Sequence, residues 1–435
     1  MEHLIAHLDM NSYFASVEQQ ANPFLRGKAV GVCAYLHARG CVIAASVEAK
    51  QLGMKVGMNV EQAKTIVPSA VFVENDPAKY RAVSSRVFRL LREYTDQVEI
   101  YSIDEAFMNM TGWCRDPAEA AFLFSRIKLR LRTEIGEWLR CSVGIAPTRF
   151  LAKFASDFRK PDGLTVITPE TIDEHLAVKD LEDAWGIGPR LRRRLEGLGI
   201  KTLLDLKHYP VQNLMSVLGK MGYVLWAHVN GIEVNAASKE GVLPKTIGHS
   251  YCVPRRVNRE GTVEAVLTRL VERAGRRLRG YGLRAGRIEV MIGFSNPPPF
   301  EGGVRGGWRQ GIPPPLTPPP RGGGLSVRLS DPTDDPATLI RAAATLLHEL
   351  WRGEYVSFLA VTLGELQEKT GQMEFHGRAG RPSSLTRSLD LIRDKHGEEA
   401  IVYGRMSKMI GKNDAPDRIG FRKTEGRGWE GSTLF

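Results

Sequence analysis

Hydrophobic positions in the first part of the chain switch between period-two runs and helical spacing, the pattern of an α/β or α+β domain. Ile5 to Asp9 predicts a strand, Ala29 to Cys33 and Gly40 to Ser46 predict two more, and Ala70 to Val73 a fourth. A long amphipathic helix is predicted from Pro77 to Tyr94. Two alternating runs around a tight turn, from Val98 to Met110, predict a hairpin. A helix over Pro117 to Glu137, a strand at Cys141 to Ile145 and a helix over Thr148 to Phe158 follow. Lys160-Pro-Asp-Gly163 then punctuates the chain before a short strand at Leu164 to Ile167. Composition shifts after Thr168, and residues 168–233 read as a compact helical segment.

Residues 244–366 read as strand, helix, strand on either side of a break, a small α+β unit preceded by a linker at 234–243. The break, Asn296 to Gly324, holds nine Pro and eight Gly in 29 residues. Such a segment cannot bury enough apolar surface to offset its ordering entropy, so a disordered insertion between paired strands is expected. Residues 367–435 are polar and Gly-rich, and a flexible tail is expected there.

Composition adds location and charge. The 435 residues suggest roughly two to four domains, and no apolar run approaches the ~18 to 20 residues that a membrane helix needs. The N-terminus lacks a basic segment and a small-residue cleavage site, which argues against secretion. Five cysteines without a C-x-x-C pair read as free thiols in a reducing cytoplasm. The net charge is +11, and residues 245–295 supply +7 of it through eleven Lys or Arg against four Glu. Val263, Val266, Leu267, Leu270, Val271 and Leu278 recur at helical spacing there, so the arginines fall largely on the opposite face. That face could track phosphates, with Arg255, Arg256 and Arg259 as candidate contacts to DNA; a solvated helix face is the alternative.

Three carboxylates stand out: Asp9 at the exit of the first strand, and adjacent Asp104 and Glu105 at the hairpin turn. Their oxygens are what Mg²⁺ prefers. Successive strand residues face opposite ways, so both members of the pair can serve one site only if the turn reorients them. The competing reading is that Asp9 caps a helix beginning near Ser12. Trp185-Gly-Ile-Gly188 enters a helix with Arg190 and Arg192 to Arg194 close behind. Backbone N–H groups of Gly186 and Gly188, with Arg190, could meet a DNA phosphate in a helix-hairpin-helix, or the segment could be a plain tight turn.

Leu8-Asp-Met-Asn-Ser-Tyr-Phe-Ala-Ser-Val-Glu18, Tyr101-Ser-Ile-Asp-Glu-Ala-Phe107, Ser142-Val-Gly-Ile-Ala with Leu151-Ala-Lys153, Lys160-Pro-Asp-Gly163 and Trp185-Gly-Ile-Gly188 together resemble the Y-family translesion DNA polymerases, in order and in spacing. The resemblance covers residues 1 to about 365. It implies an α+β multidomain right hand: palm at 1–10 and 74–167, small fingers at 11–73, a helix-hairpin-helix thumb at 168–233 and an α+β little finger at 244–366. It further implies a monomeric, low-fidelity, template-directed DNA polymerase that adds dNTPs to a primer on template DNA and bypasses lesions. Asp9, Asp104 and Glu105, with the Met10 carbonyl, would hold two Mg²⁺ ions. Tyr13, Phe14, Lys50 and Lys160 would meet the nucleotide, with Phe14 as the ring that blocks a ribose 2′-OH. Most of this is shared by DinB-type (polymerase IV) members, yet Asn11, Val47 and Lys50 stand where many of them carry Asp, Tyr and Arg, and the fingers look closer to the UmuC type. Gly431-Ser-Thr-Leu-Phe435 resembles the short peptides that hold the sliding clamp, through Leu434 and Phe435. The alternative is a catalytically impaired DNA-binding scaffold of the damage response; a metal-dependent nuclease has no use for the aromatic gate.

Overall fold

The computed structural model describes residues 3–37, 40–234, 243–294, 322–368, 382–397 and 400–404, with the side chains of 254–256, 382 and 383 left out. Two compact units result, one from residues 1–240 and one from 241–420.

The first unit is built on a five-stranded sheet. Its strands are β1 (Ile5–Met10), β5 (Val98–Ile100), β6 (Glu105–Asn109), β7 (Cys141–Ala146) and β8 (Leu164–Val166), in the order β5-β6-β1-β7-β8. Only the β7–β8 pair is parallel. Alternation decides what each face of β1 does. Ala6, Leu8 and Met10 are buried in a core with α4 (Pro77–Leu91) and α5 (Pro117–Arg130), through residues such as Tyr80, Leu91, Phe124 and Ile127. His7 and Asp9 face the other way, and His7 meets Ser156 at the end of α6 (Arg149–Ser156). That helix lies close against β7 because residue 144 is glycine: a Cβ there would sit 2.0 Å from the Ala152 carbonyl oxygen.

Between β1 and α4 the chain makes α1 (Tyr13–Ala21), β2 (Val30–Cys33), β3 (Val42–Ala45), α2 (Val47–Gln51), α3 (Val60–Ile66) and β4 (Val71–Glu74). The strands form a small sheet ordered β3-β2-β4 with its own core of Val42, Ala45, Met54, Val60 and Ala63. After β8 come α7 (Ile172–Ala177), α8 (Pro189–Glu196), α9 (Leu203–His208), α10 (Val211–Leu218) and α11 (Lys220–Val229). Their leucines 176, 195, 203, 206, 214 and 225 pack with Phe150 and Leu151 of α6.

The second unit is an antiparallel sheet ordered β11-β10-β12-β9, from β9 (Ile247–Val257), β10 (Leu283–Phe294), β11 (Gly322–Thr333) and β12 (Val356–Glu368). It packs with α12 (Glu260–Gly280) and α13 (Pro336–Leu350). The six apolar positions of α12 read from the sequence are all buried.

Three expectations are corrected here. Gly322 to Gly324, placed at the end of the disordered break, are strand: they pair with Gly293, Ile292 and Met291 of β10. Backbone pairing needs no side chain, and the close approach favours none, since a Cβ on Gly322 would sit 2.2 Å from the Ile292 carbonyl oxygen. The rest of that segment, residues 295–321, lies outside the described residues, as do 235–242 of the expected linker. The expected tail contains a helix, α14 (Pro382–His396), and β12 runs on to Glu368. Finally, two arginines of the α12 face are taken up within the unit. Arg276 and Arg279 pair with Asp394 and Asp390 of α14, the latter at 2.6 Å, and Arg393 of α14 reaches back to Glu272 at 2.7 Å. Opposite charges, rather than an apolar stripe, attach this helix. Among the described residues, no helix is long and apolar enough to cross a membrane.

The pairs of α14 differ in burial, and their worth should differ with it. Arg393 and Glu272 are 9% and 11% exposed, whereas Asp394 is 60% exposed. Glu272→Ala strands a buried guanidinium and should cost about 3 to 5 kcal/mol in denaturant unfolding of the second unit. Asp394→Ala should cost less than about 1 kcal/mol. Equal effects would show that α14 is not held in this way.

Candidate active site

Pairing register brings the backbones of the three acids together. Asp9 of β1 lies directly opposite Glu105 of β6, and the Met10 N–H donates to the Asp104 carbonyl at 2.9 Å. The Tyr101 and Ser102 N–H groups both donate to the Glu105 carbonyl, at 3.0 and 3.1 Å, closing a turn just before β6. Asp104 belongs to that turn and escapes the alternation that would have aimed it away from its neighbour. Asp9 does not cap α1: that helix starts at Ser12, held in the left-handed region at φ 47°, with no side-chain cap at all. Its first N–H groups therefore keep their capacity to bind an anion.

A cavity of about 510 Å³ opens here, lined by Asp9, Met10, Asn11, Tyr13, Phe14, Lys50, Asp104 and Lys160, and also by Ile43, Ala44, Val47, Gln51 and Val56 from the small sheet and its helix. Seven of the residues expected at the site thus share one space. Glu105 does not line it: its carboxylate is turned to His7 and Lys153.

Each carboxylate is tied through one oxygen. Lys160 Nζ lies 3.0 Å from Asp9 Oδ2, the Ser102 hydroxyl donates to Asp104 Oδ1, and His7 and Lys153 both meet Glu105 Oε2. Burial and the neighbouring acids push Asp104 up to about 6, with the Ser102 hydroxyl working against them. Asp9 is also raised by burial and by Glu105, against the pull of Lys160. Glu105 moves the other way: burial works to raise it, but His7 and Lys153 prevail and hold it at about 2. His7 is fully buried, which lowers its pKa; its Nε2 lies 3.1 Å from Glu105 Oε2 and its Nδ1 2.9 Å from the Ser156 hydroxyl. This donor set fits a hard divalent cation. Its ligands are carboxylate and carbonyl oxygens, one oxygen of each carboxylate has no protein partner among the described residues, and two of the three charges are unfavourable without a cation.

The cations of the cleft are held in the same terms. Lys160 bridges Asp9 and Asp157, the latter at 2.6 Å, and these acids keep it charged against its burial. Its loop is fastened by Asn11, whose Oδ1 accepts from the Asp162 N–H at 2.6 Å and whose Nδ2 donates to the Ser142 hydroxyl at 3.0 Å. Burial and Lys160 lower the pKa of Lys50, while Asp9 and Asp104 restore it in part. The Phe14 ring lies flat on Tyr80, centroids 4.4 Å apart and 11° from parallel. The Tyr13 hydroxyl donates to the Tyr80 carbonyl at 2.8 Å, and the residue is 3% exposed.

Elsewhere, Gly186 takes φ +99° and Gly188 stands at the N-cap of α8, each with open space where a Cβ would be. Arg190 and Arg259 are exposed. The side chains of Arg255 and Arg256, and the whole of Leu434 and Phe435, lie outside the described residues. Sequence reasoning missed His7, Asn11, Gln51 and the role of Lys153. Asn11 was noted only as a departure, and Lys153 only as part of a motif.

The impB/mucB/samB family model matches residues 8–157, and the model of that family's C-terminal domain matches residues 244–375. A DNA polymerase IV of Moorella thermoacetica is 33% identical over 399 residues, covering 90% of this chain and 93% of the relative. The DNA polymerase IV of Bacillus velezensis is 31% identical over 412 residues, 93% of each chain. Among solved structures, a chimera of the Y-family DNA polymerases Dbh and Dpo4 superposes with a TM-score of 0.68 at 26% identity, over 84% of this chain and all of the other. An insertion ternary complex of Dbh DNA polymerase matches at a TM-score of 0.54 and 25% identity, with the same coverage.

The strained charge of Asp104 yields a stability prediction for the metal-free protein. Its folded pKa, about 6, exceeds the ordinary 3.8, so its contribution is fully present below pH 3.8 and is lost as pH rises through 6. At pH 7.5 the ionised carboxylate costs up to about 3 kcal/mol. Asp104→Asn should therefore stabilise the protein in EDTA by up to that amount at pH 7.5, and by little at pH 4. Urea titrations at the two pH values measure this; equal stability at pH 7.5 contradicts it.

Proposed function

The chain belongs to the impB/mucB/samB family of Y-family DNA polymerases, and we propose that the cleft of its first unit joins dNTPs to a primer 3′-hydroxyl. It is a DNA-directed DNA polymerase acting in translesion synthesis. What supports the cleft as the site is that the acids Asp9 and Asp104, the aromatic gate Phe14 and the lysines 50 and 160 line a single cavity.

The reading assigns each group a task. The ammoniums of Lys50 and Lys160 bind the triphosphate as point charges, and the uncapped start of α1 offers backbone N–H groups to it. Phe14, kept flat by Tyr80, occupies the space that a ribose 2′-OH would need. Asp9, Asp104 and Glu105 with the Met10 carbonyl would hold the divalent cations, two Mg²⁺ by resemblance, which when bound supply acidity to the 3′-hydroxyl and charge neutralisation to the leaving pyrophosphate. Around the nascent base pair stand small or apolar groups, Ala44, Ala45, Val47 and Val56, from a three-stranded sheet with short helices. So light a wall tolerates a damaged template base and selects weakly among nucleotides. Template DNA would be gripped by the Gly186–Gly188 loop with Arg190, and by Arg255, Arg256 and Arg259. The protein acts as a monomer in the cytoplasm, with Leu434 and Phe435 as contacts to the sliding clamp. An impaired scaffold is not favoured, because such a protein has no use for a gate, two acids and two lysines in one space with a third acid beside them.

Primer extension tests the reading. Asp104→Ala should lower single-turnover incorporation by about 10³ or more while duplex affinity stays within a few-fold. Phe14→Ala should raise ribonucleotide use by at least about tenfold relative to dNTP, about 1.4 kcal/mol of discrimination. Full activity of Asp104→Ala, or unchanged sugar selectivity in Phe14→Ala, would sink the respective assignment.

A further inference from the structure

Lys153 is engaged at both ends of its reach. Its ammonium pairs with Glu105 Oε2 and stands 5.4 Å over the ring of Tyr101, a cation–π contact. The far side of the contact is not solvent: Tyr101 meets the ring of Trp185 edge-on, centroids 5.6 Å apart at 88°. Trp185 in turn stacks on His228 of α11 at 6.4 Å and 10°, and His228 stacks on Phe150 at 4.5 Å and 12°. Phe150 and Lys153 are both on α6, one turn apart. The contacts therefore close a ring that leaves α6 at Phe150 and returns to it at Lys153, with Trp185 as the member farthest from the helix. Trp185 immediately precedes Gly186, whose φ of +99° favours glycine and which has open space where a Cβ would be.

The same lysine helps hold Glu105 outside the cavity. His7 and Lys153 share one carboxylate oxygen, and the residues that line the cleft include Asp9 and Asp104 but not Glu105. We propose that Trp185 is a positioning residue for Glu105: acting through Tyr101 and Lys153, it keeps the carboxylate latched away from the cleft, so that the Gly186–Gly188 loop sets how readily the site takes a divalent cation. Whatever seats on that loop and shifts Trp185 loosens the cover over Lys153 and frees Glu105 to serve as a ligand. By reciprocity, filling the site favours the shifted loop. The identity of the site rests on the polymerase reading above; the latch itself rests on the ring of contacts.

Mn²⁺ binding to the full chain without DNA, followed by the EPR signal of free Mn²⁺, tests the latch. His348→Ala serves as the parent background, since Glu260, Glu264 and His348 form an exposed group that could take Mn²⁺ by itself. Trp185→Ala should tighten Mn²⁺ binding at least about fivefold, and so should Lys153→Met, while the double variant binds no tighter than the better single. Lys153→Met also removes a charge, so the neutral Trp185→Ala is decisive. Trp185→Phe, which restores a ring, should stay within about twofold of the parent. If Trp185→Ala does not unfold cooperatively, Tyr101→Leu removes the same cover without touching the loop and carries the same expectation. Unchanged affinity, or additive effects in the double variant, would overturn the latch. A parent that extends primers while its variants show no shift loses only the latch. One that neither extends primers nor binds Mn²⁺ loses the polymerase reading as well.

Discussion

Like charges forced together in a half-buried cleft govern the first unit. Asp9 and Glu105 are opposed by sheet register, Asp104 joins them through a turn, and water is largely excluded from all three. Such an arrangement repels itself unless cations are supplied, and the protein supplies them from elsewhere in the fold, Lys160 from the loop before β8 and Lys153 from α6, while the His7 ring of β1 adds a hydrogen bond to Glu105. Compensation is uneven. Glu105 is over-satisfied and remains ionised, whereas Asp104, hydrogen-bonded by the Ser102 hydroxyl and facing Lys50 without a salt bridge among the described residues, carries the residual strain. A site that remains uncomfortable without a cation is pre-organised to bind one, which is the usual exchange of stability for function.

Supporting elements follow from that need. Gly144 lets α6 close on β7, which delivers Lys153 and Ser156 to the sheet's acidic face. Asn11 and Ser142 pin the Asp162–Gly163 backbone so that Lys160 stays at the cleft mouth. Tyr80 serves as a shelf for Phe14 and is itself fixed by its hydroxyl donating to Glu18 at 2.8 Å. None of these side chains needs to touch a nucleotide to matter.

How much of this could be read from sequence depends on the range of each interaction. The strands, the hairpin at Val98 to Met110 and the buried face of α12 follow from periodicity, which is local and strong. Asp9, Asp104, Phe14 and Lys160 sit in motifs whose spacing identified a family. The hold on Glu105 joins residues 98 and 48 positions apart, and nothing local in His7 or Lys153 announces it. Gly322 to Gly324 looked like the end of a low-complexity run because a strand built on backbone pairing alone has no side-chain signature. Helix α14 escaped notice because it attaches through arginine–carboxylate pairs rather than an apolar stripe, and scattered charges in a polar segment read as solvated.

The departures from the polymerase IV pattern also gain a physical sense here. An Asp in place of Asn11 could still accept from the Asp162 N–H, but it would take the Ser142 proton instead of donating to that oxygen, and it would add a fourth negative charge beside Asp9. Asn11 fastens the same loop with no added repulsion. Lys50 lies within the field of Asp9 and Asp104, burial and Lys160 lower its pKa, and as an ammonium it lacks the fork that would bind phosphate in two places. Val47 adds no hydroxyl. A nucleotide bound as proposed would meet fewer directional bonds on this side, while the acidic centre is kept at three carboxylates. Relatives matching more than nine tenths of the chain are polymerase IV proteins, so on the proposed reading these substitutions would retune one site within that family: fewer directional bonds to a triphosphate, balanced by less repulsion among the acids.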